Sequence, residues 1–360
     1  MTYSPFRHVD SILWKRAPIH LTVFLTRRCN AKCRHCFYIH DKNLSNEDNN
    51  ELSLDEIEKI SASMGKLLWL AFSGGEIFLR DDIVEIAKIF YRNNKPAIIL
   101  LPTNGLLTGK ISKRIEEILK HCNKSTIAVK LSLDGPERLH DSMRGAVGSF
   151  KKTMQTYDVL GRLLNKYPNF ELGINTVFSS ENQDFMDELI EFINSLENIK
   201  THTVSLIRGD VSDDGLKGVD IKKYLETIQN IESNLKKKKA SIYRFRGARI
   251  KAAQDIIQRR LIHETMLQRR QLVPCYAGRL NLVITETGDL FPCESFSMKL
   301  GNIRESDYDV GKVLKSGDAQ RVISSIKKKG CFCTHECYMM TNIFFNPFSY
   351  PALLKEYLQI

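Results

Sequence analysis

The chain has 360 residues, 42% hydrophobic and 26% charged, a balance that fits a globular protein and excludes a disordered or fibrous one. No run of 18 or more apolar residues is present, which excludes a transmembrane helix. The N-terminal segment, with Arg7, His8, Asp10, Lys15 and Arg16, lacks the apolar core of a signal peptide. A cytoplasmic location is the expectation, and there nine cysteines read better as ligands than as disulfides.

The first predicted strand is the apolar run His20–Leu25. Five more follow, at Leu67–Phe72, Ala97–Leu101, Thr126–Leu133, Glu171–Phe178 and Thr201–Ile207. Amphipathic stretches predict helices between them, at Leu54–Met64, Asp82–Asn93, Ser112–Lys120, Phe150–Lys166 and Asp184–Leu196. Ser53 with Glu56 reads as a capping box at the start of the first helix. Repeated βα units of this kind predict an α/β fold with a parallel sheet, a partial (β/α)6 TIM-like barrel open on one side.

The character of the chain changes after Gly209. Residues 220–235 read as a helix and 242–272 as a long basic one, with Ile250, Ile257, Leu261 and Leu267 as its apolar side. Residues 236–270 hold twelve Lys or Arg against Asp255 and Glu264, a net of +10, nearly the whole net charge of +11. A hairpin-like run between Cys275 and Cys293 opens a small cysteine-rich C-terminal domain. The expected divisions are an N-terminal segment 1–19, the barrel 20–209, a basic helical bridge 210–274, the cysteine-rich domain 275–340 and a tail 341–360.

The chemistry-bearing motifs sit at strand ends. Cys29, Cys33 and Cys36 follow the first strand in the spacing Cys-x3-Cys-x2-Cys. Three close thiolates hold three corners of a four-iron cubane and leave the fourth iron open to a substrate. A zinc knuckle, which closes with four ligands, is the competing metal site. Ser73-Gly74-Gly75-Glu76 ends the second strand, Thr103-Asn104-Gly105 the third and Leu131-Ser132-Leu133-Asp134-Gly135 the fourth. His140-Asp141-Ser142-Met143-Arg144-Gly145 comes next.

With these strings the chain resembles the radical S-adenosylmethionine (SAM) enzymes. The resemblance implies a SAM-binding [4Fe-4S] cluster on Cys29, Cys33 and Cys36. It implies that Gly74, Gly75 and Glu76 meet the amino group of SAM and that Asn104 lines its pocket. Ser132 and Asp134 would reach its ribose or carboxylate, or the substrate. Arg144 would pair with its carboxylate, and His35 would stand near adenine. The activity implied is reductive cleavage of SAM to methionine and a 5′-deoxyadenosyl radical, which removes a hydrogen atom from the substrate.

Cys275-x12-Gly288-x4-Cys293, then Cys331-x-Cys333-x3-Cys337, resembles the SPASM and Twitch extensions that hold auxiliary iron–sulfur clusters. Five thiols fully ligate one cubane and not two. One auxiliary [4Fe-4S] cluster is expected on Cys275, Cys293 and Cys337 with either Cys331 or Cys333, a four-cysteine zinc site being the competitor. Cys122 reads as a lone buried thiol.

The expected function is that of a radical SAM enzyme acting on a small, phosphorylated substrate such as a sugar or nucleotide. The auxiliary cluster would assist redox chemistry or substrate binding, and a flavodoxin or ferredoxin would supply electrons. A peptide-modifying maturase is the alternative, and an iron–sulfur electron carrier or scaffold is the alternative of another class. No residue is singled out as catalytic and no nucleic-acid motif is present. The basic helix is read either as a solvated bridge or as a weak contact for a phosphate-bearing substrate or membrane surface, and the apolar C-terminal tail as a cover for the open barrel edge or a membrane contact.

Overall fold

The computed structural model describes residues 2–41, 50–328 and 331–360. Nine strands form one sheet: β1 (His20–Thr26), β2 (Trp69–Gly74), β3 (Ile98–Thr103), β4 (Thr126–Ser132), β5 (Phe170–Phe178), β6 (Thr201–Leu206), β7 (Asn281–Ile284), β8 (Asp289–Phe291) and β9 (Gly301–Asn302). The helices of the barrel are α1 (Leu54–Ala62), α2 (Ile83–Asn94), α3 (Thr108–His121), α4 (Glu137–Arg144), α5 (Ser149–Gly161), α6 (Leu163–Lys166) and α7 (Met186–Ser195). Beyond it lie α8 (Ile221–Lys236), α9 (Ala248–Gln268), α10 (Val310–Lys315), α11 (Gly317–Lys328), α12 (Glu336–Phe344) and α13 (Tyr350–Gln359).

The strand order is β6-β5-β4-β3-β2-β1-β7-β8-β9. β1 to β6 are parallel, as the βα alternation predicts. β7 pairs in parallel with β1, His20 opposite Asn281, and β8 and β9 continue antiparallel. The C-terminal module is therefore built onto the free edge of the barrel sheet. The capping box forms, with Ser53 Oγ accepting from Glu56 N and Glu56 Oε2 accepting from Ser53 N.

Strand alternation gives the sheet two unlike faces. Leu21, Val23 and Leu25 of β1, Leu70 and Phe72 of β2, Ile99 and Leu101 of β3, and Val129 and Leu131 of β4 belong to the main apolar core under the helices. The opposite face is polar towards β4 to β6, with Lys130 and Ser132 of β4, Glu171 and Asn175 of β5 and Ser205 of β6 in alternate positions, while β1 to β3 add Phe24, Trp69, Ile98 and Leu100 to it.

The open side is closed by α9, α12 and α13. Ala253 and Ile257 of α9 pack against Ile343 of α12 and Leu353 of α13, so the tail does cover the barrel's open side. His20 at the start of β1 stacks on Tyr338 of α12, ring centroids 6.4 Å apart.

Two elements differ from expectation. The short helix α4 was not predicted, because its periodic apolar positions are too few. The basic helix is shorter than expected and is not a solvated bridge: Lys251, Gln254, Gln258 and Thr265 are buried, while Leu267 of the expected apolar side is 54% exposed. A helix that faces a polar barrel interior buries polar side chains too, so hydropathy alone misplaces its inner face. Its charges are partnered. Lys251 pairs with Asp255, Arg260 with Glu232 and Glu356, and Arg259 Nη2 donates to the carbonyl of His202 at 3.3 Å.

Lys130 lies between these faces. Its ammonium donates to Thr201 Oγ1 and stands 5.7 Å from the centre of the Tyr243 ring. Burial pushes its pKa down to about 7, against a smaller opposing pull from Asp255. The folded pKa lies below the unfolded one, so the unfolded chain binds more protons between about pH 7 and the ordinary lysine range. The penalty is absent above that range and complete once pH falls through about 7. A Lys130→Met variant should therefore gain at least about 1 kcal/mol over the parent near pH 7. The gain should shrink towards pH 10, read by urea unfolding across pH. A constant difference between the two proteins would show that the ammonium is not desolvated.

Candidate active site at the carboxyl ends of the strands

The cysteine loop leaves β1 at Thr26 and is held from two sides by backbone. On one side it lies on the end of β2. Gly75 N donates to Thr26 O at 2.7 Å and Glu76 N donates to Arg28 O at 2.9 Å. A Cβ on Gly74 would stand 2.3 Å from Thr26 O, and one on Gly75 2.1 Å from Arg28 O. On the other side Lys32 N donates to Arg144 O at 2.9 Å, and a Cβ on Gly145 would stand 2.6 Å from Lys32 O. Only glycine permits approaches this close, and Gly74 (φ 127°) and Gly145 (φ 57°) are also left-handed.

The side chains around the loop continue the clamp. Glu76 is fully buried. Its carboxylate accepts from Thr103 Oγ1 (2.9 Å), Asn104 N (2.9 Å) and Phe78 N (3.2 Å), tying the ends of β2 and β3 together. Burial lifts its pKa to about 7, and the three donors oppose that rise. Asn104 Nδ2 donates to Asn30 Oδ1 at 2.8 Å and lies 3.9 Å from Cys29 Sγ. Arg144 Nε stands 2.6 Å from Asp134 Oδ2, and its Nη1 is 3.7 Å from Cys33 Sγ. Burial pushes the Asp134 carboxyl up, but the Arg144 guanidinium, His35, His140 and the Val177 amide together hold it below its ordinary range. Asp134 Oδ1 accepts from Val177 N at 3.0 Å. His35 Nε2 lies 3.9 Å from Asp134, and burial pushes this imidazole down to about 4.

Asp134, Arg144 and His35 thus face one another beneath the loop. Ser132 is half-buried on the interior face, opposite Asn175 of β5. The string around His140 has local work: Asp141 accepts from Gly148 N (2.6 Å), Ser149 Oγ (2.8 Å) and Phe150 N (2.8 Å), and His140 Nδ1 accepts from Asp134 N (3.2 Å). Arg144 is thereby fixed from both ends of α4.

Cys29, Cys33 and Cys36 lie within electrostatic range of one another, and burial pushes Cys29 up to about 11. In the second set Cys275 and Cys293 lie within electrostatic range of each other and each of Cys331 and Cys333 is within range of that pair, all four thiols being pushed up by burial. Cys337, at the start of α12, has Glu294, Glu336 and Arg208 as its nearest charges. Cys122 is buried in the main core, as expected.

One apolar cluster joins the two sets. Phe24, Tyr38, Phe291, Phe296 and Tyr338 form it, with Cys36, Cys275, Cys293 and Cys337 packed against it. Beside it Arg208, just past β6, stands 4.7 Å over the Phe37 ring. Arg208 Nη2 lies 3.2 Å from Glu294 Oε2 and 2.7 Å from His335 Nε2, and the His335 and Glu294 side chains are 2.5 Å apart. Arg208, Glu294 and His335 were not singled out from sequence. The usable signal was position: Arg208 ends a barrel strand, where sites cluster, and the other two flank cysteines.

The donor sets fit iron–sulfur clusters. Three thiols, Cys33 buried and Cys29 and Cys36 half-buried, come from one loop whose near neighbours are amides and a guanidinium, leaving one cubane corner without a fourth protein thiolate. Among the described residues no three His, Cys, Asp or Glu side chains close on one point as they do around a single ion; a cubane instead spreads its thiolates over separate irons.

A Gly75→Ala substitution should displace the loop at Arg28. Anaerobically reconstituted variant should lose about four of its irons while the iron of the second cysteine set stays, read by iron assay and visible absorbance. Full iron content would show that the loop does not need this close approach.

Comparison with known proteins agrees with this geometry. Residues 23–193 match the model of the radical SAM superfamily, and residues 275–338 match that of SPASM, an iron–sulfur cluster-binding domain. An AdoMet-dependent heme synthase of Methanosarcina barkeri is 29% identical over 308 residues, covering 82% of each chain. The subtilosin biosynthesis protein AlbA of Bacillus subtilis is 28% identical over 297 residues, 81% of this chain and 59% of its own length. Among solved structures, native anSMEcpe with bound AdoMet superposes with a TM-score of 0.62 at 18% identity, over 95% of this chain and all of that one. Streptococcus suis SuiB bound to precursor peptide SuiA gives 0.61 at 17% identity, over 95% of this chain and 76% of that one. The chain belongs to the radical SAM superfamily and carries a C-terminal SPASM domain, so that its cofactors are a [4Fe-4S] cluster, SAM and auxiliary iron–sulfur.

Proposed function

We propose that this radical SAM enzyme oxidises a small, anionic substrate at the mouth between its two cysteine sets. The observation that carries this reading is the continuity of Cys36, Phe37, Arg208, Glu294 and His335 from one set to the other. When bound, SAM on a reduced cluster supplies a 5′-deoxyadenosyl radical that takes a hydrogen atom. In this reading Cys29, Cys33 and Cys36 ligate that cluster. Cys275, Cys293 and Cys337 ligate the auxiliary one, completed by Cys331 or Cys333. The auxiliary cluster, held by those thiols, would supply an acceptor for one electron, so that hydrogen-atom loss followed by loss of that electron and one proton would complete a two-electron oxidation. A flavodoxin or ferredoxin supplies the electron that starts each turnover.

The chain's own residues position the reactants. Glu76 and the Gly74–Gly75 backbone offer acceptors to the SAM ammonium, with Asn104 beside them. Arg144, with Asp134 and His35 behind it, offers a buried cation towards the SAM carboxylate, and Ser132 faces the interior. The cation Arg208 favours a substrate bearing phosphate or carboxylate. A second reading, a peptide substrate, is favoured by the similarity to AlbA and to SuiB, whose structure holds its precursor peptide.

Reduced holoenzyme with SAM should form 5′-deoxyadenosine, and replacing Cys29, Cys33 and Cys36 together with alanine should lower that rate by more than about 100-fold, as expected when an essential cofactor is lost. Retained cleavage would remove the reading. Deuterium should pass into 5′-deoxyadenosine from deuterated sugar phosphates or nucleotides; transfer only from deuterated peptides would establish the second reading instead.

A further inference from the structure

The end of the barrel opposite the cysteine loop carries an apolar surface with no partner among the described residues. The N-terminal 3-10 segment Pro5–Ile12 lies across the starts of β2 and β3, where Arg7 donates to the carbonyls of Leu67 (2.5 Å) and Lys95. It faces α13 across a cleft of about 490 Å³ lined by Phe6, Val9, Phe344 and Leu354. Leu354 of this lining is 60% exposed, and further large apolar side chains are exposed on the chain next to the lining elements: Leu13 (69%) and Trp14 (53%) just after Ile12, Phe348 (91%) just before α13 and Leu358 (69%) one turn beyond Leu354. Single exposed apolar residues need no explanation, but several on and beside two elements that face each other across an apolar cleft do.

The rim is cationic. Arg16 lies over the Trp14 ring at 5.5 Å, Arg246 over Phe6 at 6.0 Å and Arg249 over Tyr357 at 4.5 Å, all three exposed. Lys355 is exposed on α13. Lys236 is tied to α13 through Glu356 (2.8 Å) and Gln359 (2.6 Å), which brings the exposed run Lys237–Lys239 to the same edge. Glu356 itself is buried and paired.

We propose that this face docks on the surface of an anionic phospholipid bilayer. The aromatic and leucine side chains enter the headgroup region, and the arginines and lysines around them meet lipid phosphates. No helix among the described residues is long and apolar enough to cross a membrane, so the docking is interfacial. Two copies of the chain set face to face would bring like-charged rims together, which disfavours self-association through this surface. Docking here points the opposite end of the barrel, with its cysteine loop, away from the bilayer.

The test uses full-length holoprotein and sedimentation with vesicles of phosphatidylcholine alone or mixed with phosphatidylglycerol. Binding to the mixed vesicles should exceed that to neutral ones by at least about tenfold. It should collapse at roughly 1 M salt, where screening shortens to about 3 Å. Fluorescence of Trp14, one of two tryptophans, should shift to the blue on binding. The combined variant Trp14→Ser, Phe348→Ser, Leu354→Ser should lower partitioning about tenfold or more. Arg246→Glu with Arg249→Glu should abolish the preference for anionic lipid. Both variants should leave substrate-free SAM cleavage unchanged. Equal sedimentation with neutral vesicles, or none with either, would overturn the proposal. So would a dimer in solution that the serine variant converts to monomer, which would make a second copy the occupant.

Discussion

The structure depends on a backbone contact: the loop that carries Cys29, Cys33 and Cys36 rests directly on glycine. Thr26 O and Arg28 O sit against Gly74 and Gly75, and Lys32 O against Gly145, at separations that no side chain allows. Two strand-end turns and the end of α4 thereby fix the loop through backbone contacts. The clamp also aligns what lies beneath it. Glu76 can tie β2 to β3 only because its amide is already bonded to Arg28 O, and Arg144 reaches both Asp134 and Cys33 because its carbonyl and the following glycine hold Lys32.

The second organising constraint is the polar inner face of the sheet. A parallel barrel sheet covered by helices on its outside still needs its interior filled, and here α9 and α12 fill it from the open side. That explains why a segment with a net charge of +10 does not stay in solvent along its length. Within it Lys251 pairs with Asp255, the Tyr243 ring lies beside the Lys130 ammonium and Arg259 donates to the carbonyl of His202, while Arg260 is fastened to Glu232 and Glu356. The same closure brings α12, with Cys337 and Tyr338, against β1. In consequence the cysteines of the barrel and of the SPASM domain share one apolar cluster and are not separated by solvent.

Much of this was legible in the chain. The six barrel strands and the helices between them announce themselves through hydropathy period and the Ser53–Glu56 cap, and the cysteine spacing marks the first site. What stayed hidden depends on tertiary closure. Asp134 reads as a turn residue or a ligand contact, yet both its oxygens are taken within the protein, by Val177 N and by Arg144. The buried face of α9 was unreadable because its neighbours are the polar positions of distant strands. Arg208 looked ordinary for the same reason, since Glu294 and His335 lie 86 and 127 residues away in sequence. Among the second cysteines, Cys275, Cys293 and Cys337 pack against one apolar cluster, and spacing alone does not choose between Cys331 and Cys333 as their fourth partner.

The central claim is that one cysteine set leaves an iron open to SAM while the other closes its cluster. Mössbauer spectroscopy of anaerobically reconstituted, iron-57-labelled protein with and without SAM tests it most directly. The account predicts about eight irons per chain in two cubanes, with one iron site alone changing its isomer shift and quadrupole splitting when SAM is added. Spectra unchanged by SAM, or a single cubane with zinc in the second site, would contradict it.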